Sequence, residues 1–412
     1  MAVIRPFKAL RPTKEKAHLV ASVPYDVVNK EEAREFAKGN PLSYLHITRS
    51  EIDLPDGTNA YSKEVYHKAK ENLERIIKEA PLKMDDKPSF YLYRLIMDGR
   101  AQTGICATFS VDDYDNDVIL KHEKTRKVKE DDRTNHIVTT EAQTGIVFLT
   151  YLGVKAVNEL VDKTIKEIKP EYDFTAPDGI QHTVWIVPEK YNSQIIDEFK
   201  KINKLYIADG HHRAASSAKV GKQLAEQNPN HTGEEEYNWF LSVLFPASQC
   251  QIMDYNRAVK DLNGYSVEKF LQKVSVNYEI QPTSLESVKP QKLHEVGIYL
   301  EKKWYKLKSK EGTYQNDPIG ILDVTILDEN ILKPILGIKD QRTDGRIDFI
   351  GGIRGLEELQ RRVDSGEMQV AFALYPVSME QLMNIADSGH VMPPKSTWFE
   401  PKLRSGLVVH KF

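Results

Sequence analysis

Apolar positions along the chain change period several times, and each change marks an element. From Asn59 to Ala80 the residues Tyr61, Val65, Tyr66, Ala69, Leu73, Ile76 and Ile77 recur at helical spacing, which predicts an amphipathic helix with those side chains in the core. Asn29 precedes another helical stretch, 30–38, and Glu32 three residues later gives the pattern of a capping box, with Gly39 as the stop. Residues 89–96 and 101–110 read as strands on either side of Asp98 and Gly99, a dipeptide that predicts a tight hairpin. Short apolar runs at 3–4, 19–21, 118–120, 145–151, 182–187, 205–208 and 370–375, with the alternating 43–48, predict further strands, and the unbroken run 239–245 predicts a central one. Helices are predicted at 156–168 and 379–386, a helix and strand within 265–280, a strand pair at 297–306 and a helix-like segment at 321–336. Together these give an α/β (α+β mixed sheet) fold in three regions: 1–110, a core at 111–245, and 246–412.

Chemistry is predicted where the run 205–208 meets Asp209 and Gly210 and continues as His211, His212, Arg213 and an Ala/Ser-rich helix. A helix starting after Gly210 points unpaired N–H groups and the positive end of its dipole at the turn, while two histidines and an arginine add donors there, so the natural guest is a phosphate or carboxylate. The plainer alternative leaves Asp209 as a helix cap, His211 and His212 on the surface, and Arg213 paired with an acid. Tyr25 and Asp26 lie in a loop between strand and helix, where α/β proteins place site residues. His122 and Glu123 stand where the run 118–120 surfaces, whereas the mixed charges of 127–133 predict a solvated helix face. Arg257 follows a strand, and Lys395 lies beside two hydroxyl residues in a Pro-flanked loop suited to anion capture. The glycines at 351, 352 and 355 predict a turn.

Composition narrows the classes. Of 412 residues, 40% are hydrophobic and 28% charged, and 57 basic residues are offset by 60 acidic ones, a balance that argues against bulk nucleic-acid binding. Two cysteines exclude a disulfide framework and a cysteine-rich zinc site, and fit a reducing, cytoplasmic setting. No run reaches the roughly 20 apolar residues of a membrane helix, and the first residues do not read as a secretory signal. No Walker-type phosphate loop occurs.

The two stations His122-Glu123 and Asp209-Gly210-His211-His212-Arg213, in that order, resemble the ParB/sulfiredoxin superfamily and within it the free serine kinases. The chain as a whole resembles a large bacterial and archaeal family of unknown function carrying that core, through residues 24–28, 130–133, 254–257 and 392–402. The resemblance implies a small-molecule phosphotransferase with Mg2+, a donor such as ATP or ADP, and free serine or a similar hydroxyl metabolite as acceptor. Glu123 or Asp209 would take the hydroxyl proton, and Asp209 is the proposed Mg2+ ligand. Gly210, His211, His212 and Arg213 would cradle phosphates, supported by His122, Tyr25, Asp26, Arg257 and Lys395. The competing class is a nucleotide-binding regulatory protein of ParB type without kinase activity. A DNA-binding role ranks third, and histidine in place of a reactive cysteine after Gly210 argues against sulfiredoxin chemistry.

Overall fold

The computed structural model describes residues 1–412, which fold as two compact units. The first contains residues 1–121, 125–250 and 401–412; the second contains 122–124 and 251–400.

The first unit is built on a nine-stranded sheet. Across it run Ile119–Leu120, Leu205–Asp209, Val147–Tyr151, Trp239–Pro246, Arg100–Ser110, Tyr91–Met97, Gln181–Ile186 and Tyr172–Thr175, and Ile4–Arg5 adds to Arg100–Ser110. Two neighbouring pairs are parallel, Ile119–Leu120 with Leu205–Asp209 and Val147–Tyr151 with Trp239–Pro246; the others are antiparallel. The sheet is therefore mixed, with the run at 239–246 near its centre. Its long hairpin turns where expected: Asp98 and Gly99 have φ of 52° and 76°, the double left-handed geometry that matches the twist of two joined strands. Ile105, Phe109, Val147, Leu149, Leu205, Ile207, Phe240 and Leu244 pack in one buried core with Ala214 and Ala218 of the helix His211–Gln227. That helix carries alanine, serine and glycine so that it can lie close: a Cβ on Gly221 would sit 2.8 Å from the Tyr237 carbonyl oxygen.

The helix Lys30–Ala37 starts on the expected capping box, with Asn29 accepting from the Glu32 amide and the Glu32 side chain accepting from the Asn29 amide. The amphipathic helix is Lys63–Glu79, buried along Val65, Tyr66, Ala69, Leu73 and Ile76. Two strand expectations fail. The segment 43–48 holds a short helix, Leu45–Thr48, because Tyr44, Leu45, Ile47 and Thr48 are all buried, a spacing that a one-sided strand cannot satisfy. The run 19–21 lies in the turn of helix Ala17–Val20, whose first amides bond to Thr13 and Lys16 carbonyls.

The second unit is a six-stranded antiparallel sheet in the order Tyr278–Pro282, Lys303–Ser309, Glu295–Leu300, Val370–Leu374, Tyr255–Val259, Ile347–Gly351. Leu359 of the helix Gly355–Asp364 packs on Ala258, Tyr299, Trp304, Ala371 and Ala373.

At Gly104 in the first sheet a Cβ would lie 2.7 Å from Val243 Cγ1 and 2.8 Å from the Leu244 carbonyl oxygen. Gly104→Ala is expected to lower unfolding stability by about 1–3 kcal/mol through overpacking, read as a lower urea midpoint with unchanged slope; an unmoved midpoint would contradict it.

Candidate functional site

The strand Leu205–Asp209 delivers its last residue out of register. Ile207 pairs with Leu149 and Asp209 with Phe148, so Ala208 is an extra residue, a bulge. Leu205 and Ile207 point into the core, and without the bulge Asp209 would follow them. Instead its side chain remains 27% exposed at the sheet edge. Gly210 follows with φ +92°, a conformation other residues resist, and the helix opens at His211.

Arg213 lies beneath this turn. A Cβ on Gly210 would sit 3.2 Å from its Nη1, and one on Gly145 would sit 3.1 Å from its Cδ. Nη2 donates to both carboxylate oxygens of Asp26, at 2.9 and 2.8 Å, and Nη1 donates to the Ile146 carbonyl at 2.6 Å, whereas Nε has no acceptor in the protein. The Tyr25 ring faces two guanidinium groups, with Arg133 at 4.2 Å and Arg213 at 5.9 Å from its centroid. A cavity of about 20 Å³ beside Tyr25, Arg133, His136, Gly145 and Arg213 has room for one water and for no metabolite.

Asp209 Oδ2 accepts from Lys402 Nζ at 3.0 Å. Burial pushes the Asp209 carboxyl up, but the charges of Lys402 and Arg213 and the Lys402 hydrogen bond outweigh it and hold the carboxyl well below the usual range. Burial also lowers the Arg213 pKa, and Asp26 and Asp209 reverse that effect. Asp209 is thus an ionised, weakly basic carboxylate suited to holding a cation. His212 Nε2 accepts from the Arg126 amide at 3.0 Å, so that nitrogen carries no proton; His211 is buried.

The structure therefore joins Tyr25, Asp26 and Arg213 beneath the turn and leaves Asp209 and Gly210 at its mouth. Within the second unit, His122 is buried, its carbonyl accepting from the Met392 amide at 2.8 Å and its Nε2 lying 3.4 Å from Thr397 Oγ1. Glu123 follows it in the same segment. Arg257 is fully buried, bonded to the carbonyls of Tyr255 and Pro394, and burial lowers its pKa to about 10. Lys395 Nζ lies 5.7 Å from the Tyr255 ring centroid. The charged run 127–133 lies in helix Lys127–Thr140 but is solvated on one side only: Asp132 is buried, bonding Arg133 at 2.9 Å and Tyr66 at 3.1 Å. Lys402, which bonds Asp209, is not among the residues the sequence singles out; its signal is its place at the end of the stretch 392–402.

Residues 4–325 match the model of a family described as protein of unknown function (DUF1015). The chain belongs to the DUF1015 family. No curated protein matches this DUF1015 chain. Similar solved structures include a conserved hypothetical protein from Pyrococcus furiosus, at 14% identity over 74% of this chain and 94% of that one, TM-score 0.38. A free serine kinase in complex with AMP is similar at 13% identity over 74% and 91%, TM-score 0.38. SbnI with a C-terminal truncation from Staphylococcus aureus is similar at 11% over 74% and 87%, TM-score 0.40. Likenesses at these TM-scores carry no functional weight. No helix of this DUF1015 chain is long and apolar enough to cross a membrane.

Two outcomes follow from the buried charges. Arg213→Ala leaves Asp26 without its partner; because the Asp26 side chain is 36% exposed, the loss is expected at about 2–3 kcal/mol, below the range for a fully buried pair, and urea unfolding measures it. A loss under about 0.5 kcal/mol would show that the pair holds nothing together.

His136 is buried, with Nε2 donating to the Ile47 carbonyl at 3.0 Å, and burial, helped by Arg133, lowers its pKa to about 4. The unfolded imidazole takes its proton near pH 6.5 and the folded one near 4, so this stability is complete above 6.5 and is lost as pH falls from 6.5 towards 4, by about 1.4 kcal/mol per pH unit within that window. His136→Asn should remove that part of the slope in denaturant titrations at pH 7, 6 and 5; parallel wild-type and variant curves would contradict it.

Proposed function

We propose that this chain transfers a phosphoryl group to a small hydroxyl-bearing metabolite, with free L-serine as the leading acceptor and ATP, ADP or another phosphorylated donor. The observation that carries the reading is the turn at Asp209 and Gly210, where a helix N-terminus, a lysine ammonium and a buried guanidinium surround one ionised carboxylate. Phosphoryl transfer asks a protein mainly for positioning and charge stabilisation, and this turn offers both. The amides of Gly210 and His211 would receive phosphate oxygens, with Arg213 contributing its charge from beneath.

Mg2+ is usually held by one or two carboxylates together with phosphate oxygens, and the ionised, partly exposed Asp209 carboxylate fits that use. The ion would neutralise charge on the donor phosphates. Because Asp209 is held so weakly basic, we assign proton removal from the acceptor hydroxyl to Glu123 and leave Asp209 to bind and orient. Arg257, fully buried on backbone carbonyls, keeps a structural role in this reading.

Phosphorus NMR of the protein with Mg2+ and ATP, ADP or pyrophosphate, with and without serine, tests the proposal. Serine-dependent consumption of one donor, with appearance of phosphoserine, is the expected result; nucleotide binding without turnover on serine or other hydroxyl metabolites would point to a regulatory protein instead. Glu123→Gln should lower turnover by about two orders of magnitude or more with nucleotide affinity nearly unchanged. Wild-type turnover in that variant would remove Glu123 from the mechanism.

A further inference from the structure

The end of the first sheet opposite the Asp209 turn holds a polar cavity. Tyr206 pairs with Thr150 and Asp209 with Phe148, so Tyr151, which pairs with Pro246, lies at the far end of these strands. The helix Lys155–Glu167 packs Val157 and Leu160 into the same core as Tyr151, Ile105 and Leu244. Beside them a cavity of about 180 Å³ remains, lined by the polar side chains of Thr103, Tyr151, Asn158, Asp162 and Gln249. It has room for about six waters, or for a ligand with about as many non-hydrogen atoms.

The fold holds these groups in place and leaves them bonding capacity. Gln249 Oε1 accepts from the Thr103 amide at 2.7 Å and the Gln249 carbonyl accepts from Arg100 Nη2, which leaves the side-chain NH2 to donate. Thr103 Oγ1 accepts from Arg94 Nε at 3.0 Å and keeps its own hydrogen as a donor. Tyr151 is 2% exposed, with its ring centroid 5.7 Å from that of Phe199. Burial alone raises the pKa of its hydroxyl, no hydrogen bond contributing. A buried tyrosine hydroxyl usually finds a partner, and the cavity is where one can stand.

Asp162 is the one charged residue of the lining, and it is exposed, at the mouth. Its helix pairs Lys155 with Glu159 at 3.6 Å and Lys163 with Glu167 at 3.9 Å, and Asp162 belongs to neither pair. A carboxylate at the mouth with neutral donors and acceptors inside suits a small cation carrying hydroxyl groups, and disfavours phosphates and carboxylates.

We propose that this cavity binds a small amino alcohol: the ligand's ammonium pairs with the Asp162 carboxylate at the mouth, and its hydroxyl groups bond Tyr151, Asn158 and Gln249 within. The inference does not rest on the phosphotransferase reading above, which concerns the other end of the sheet.

Ligand-observed NMR titration of the full chain with serinol (2-amino-1,3-propanediol), and with glycerol as its uncharged counterpart of equal size, tests the site. Wild type should bind serinol about tenfold more tightly than glycerol, the low end for a hydrogen bond to a charged group. Asp162→Asn should bring serinol to the affinity of glycerol. Tyr151→Phe, which keeps the ring, should weaken serinol about 2- to 10-fold, and Asn158→Phe, which fills the cavity, should abolish binding. Absence of serinol binding to wild type, or glycerol bound as tightly as serinol, overturns the proposal. Unchanged serinol affinity in Asp162→Asn overturns the ion pair and with it the ligand class; unchanged affinity in Asn158→Phe overturns the site. Should Asn158→Phe not fold, Tyr151→Phe decides, and wild-type affinity for serinol in that variant overturns the site.

Discussion

The buried guanidinium of Arg213 is the constraint around which the first unit is arranged. Removing a charge from water costs several kcal/mol unless partners surround it, and here they come from three separate stretches. Asp26 supplies a carboxylate, Ile146 a carbonyl, and Asp209 a second negative charge close enough to hold the guanidinium ionised. Two glycines are needed for the fit, since a Cβ at 145 or 210 would press on the arginine. Moving any of the three stretches would strand the charge, so the turn before the helix is held from below.

That arrangement decides which chemistry the turn can offer. A carboxylate between two cations and a helix N-terminus is kept ionised far into acid, which makes it a good holder of positive charge and a poor acceptor of protons. Asp26 is held by Arg213 through both its oxygens, whereas Asp209 is bonded by Lys402 at Oδ2. The small cavity on the inner side is lined by side chains that pack and bond with one another. The helix itself opens at His211, immediately after the turn.

Local signals made much of this legible from the sequence. The capping box at Asn29 and Glu32, the Asp98-Gly99 hairpin, the helical stripe from Val65 to Ile76 and the strand, turn and helix around Asp209 each announce themselves within a few residues, because the forces that set them act over one or two turns of chain. The segment 43–48 misled because six residues alternate too briefly to separate the two periods, and burial on more than one side decided for helix. Long-range partners left no local trace. Nothing near Arg213 names Asp26 as its acceptor 187 residues away, and nothing near Asp209 names Lys402. A charged run hides the same ambiguity: Asp132 and its neighbours share one composition, yet Asp132 bonds a core tyrosine and Lys127 faces solvent.

Sheet topology explains why these distant residues meet at all. Ile119–Leu120 and Leu205–Asp209 run parallel, so both end at one edge, and Val147–Tyr151, antiparallel to Leu205–Asp209, begins there. The edge thus gathers two strand ends and one strand start. The strand start contributes the Ile146 carbonyl that receives Arg213, and one strand end runs through Gly210 into the helix His211–Gln227. A fully antiparallel order would have sent the end of Ile119–Leu120 to the opposite edge. The bulge at Ala208 adds the last condition by breaking the alternation that would have carried Asp209 inward with Leu205 and Ile207, and so leaves its carboxylate partly exposed at the sheet edge.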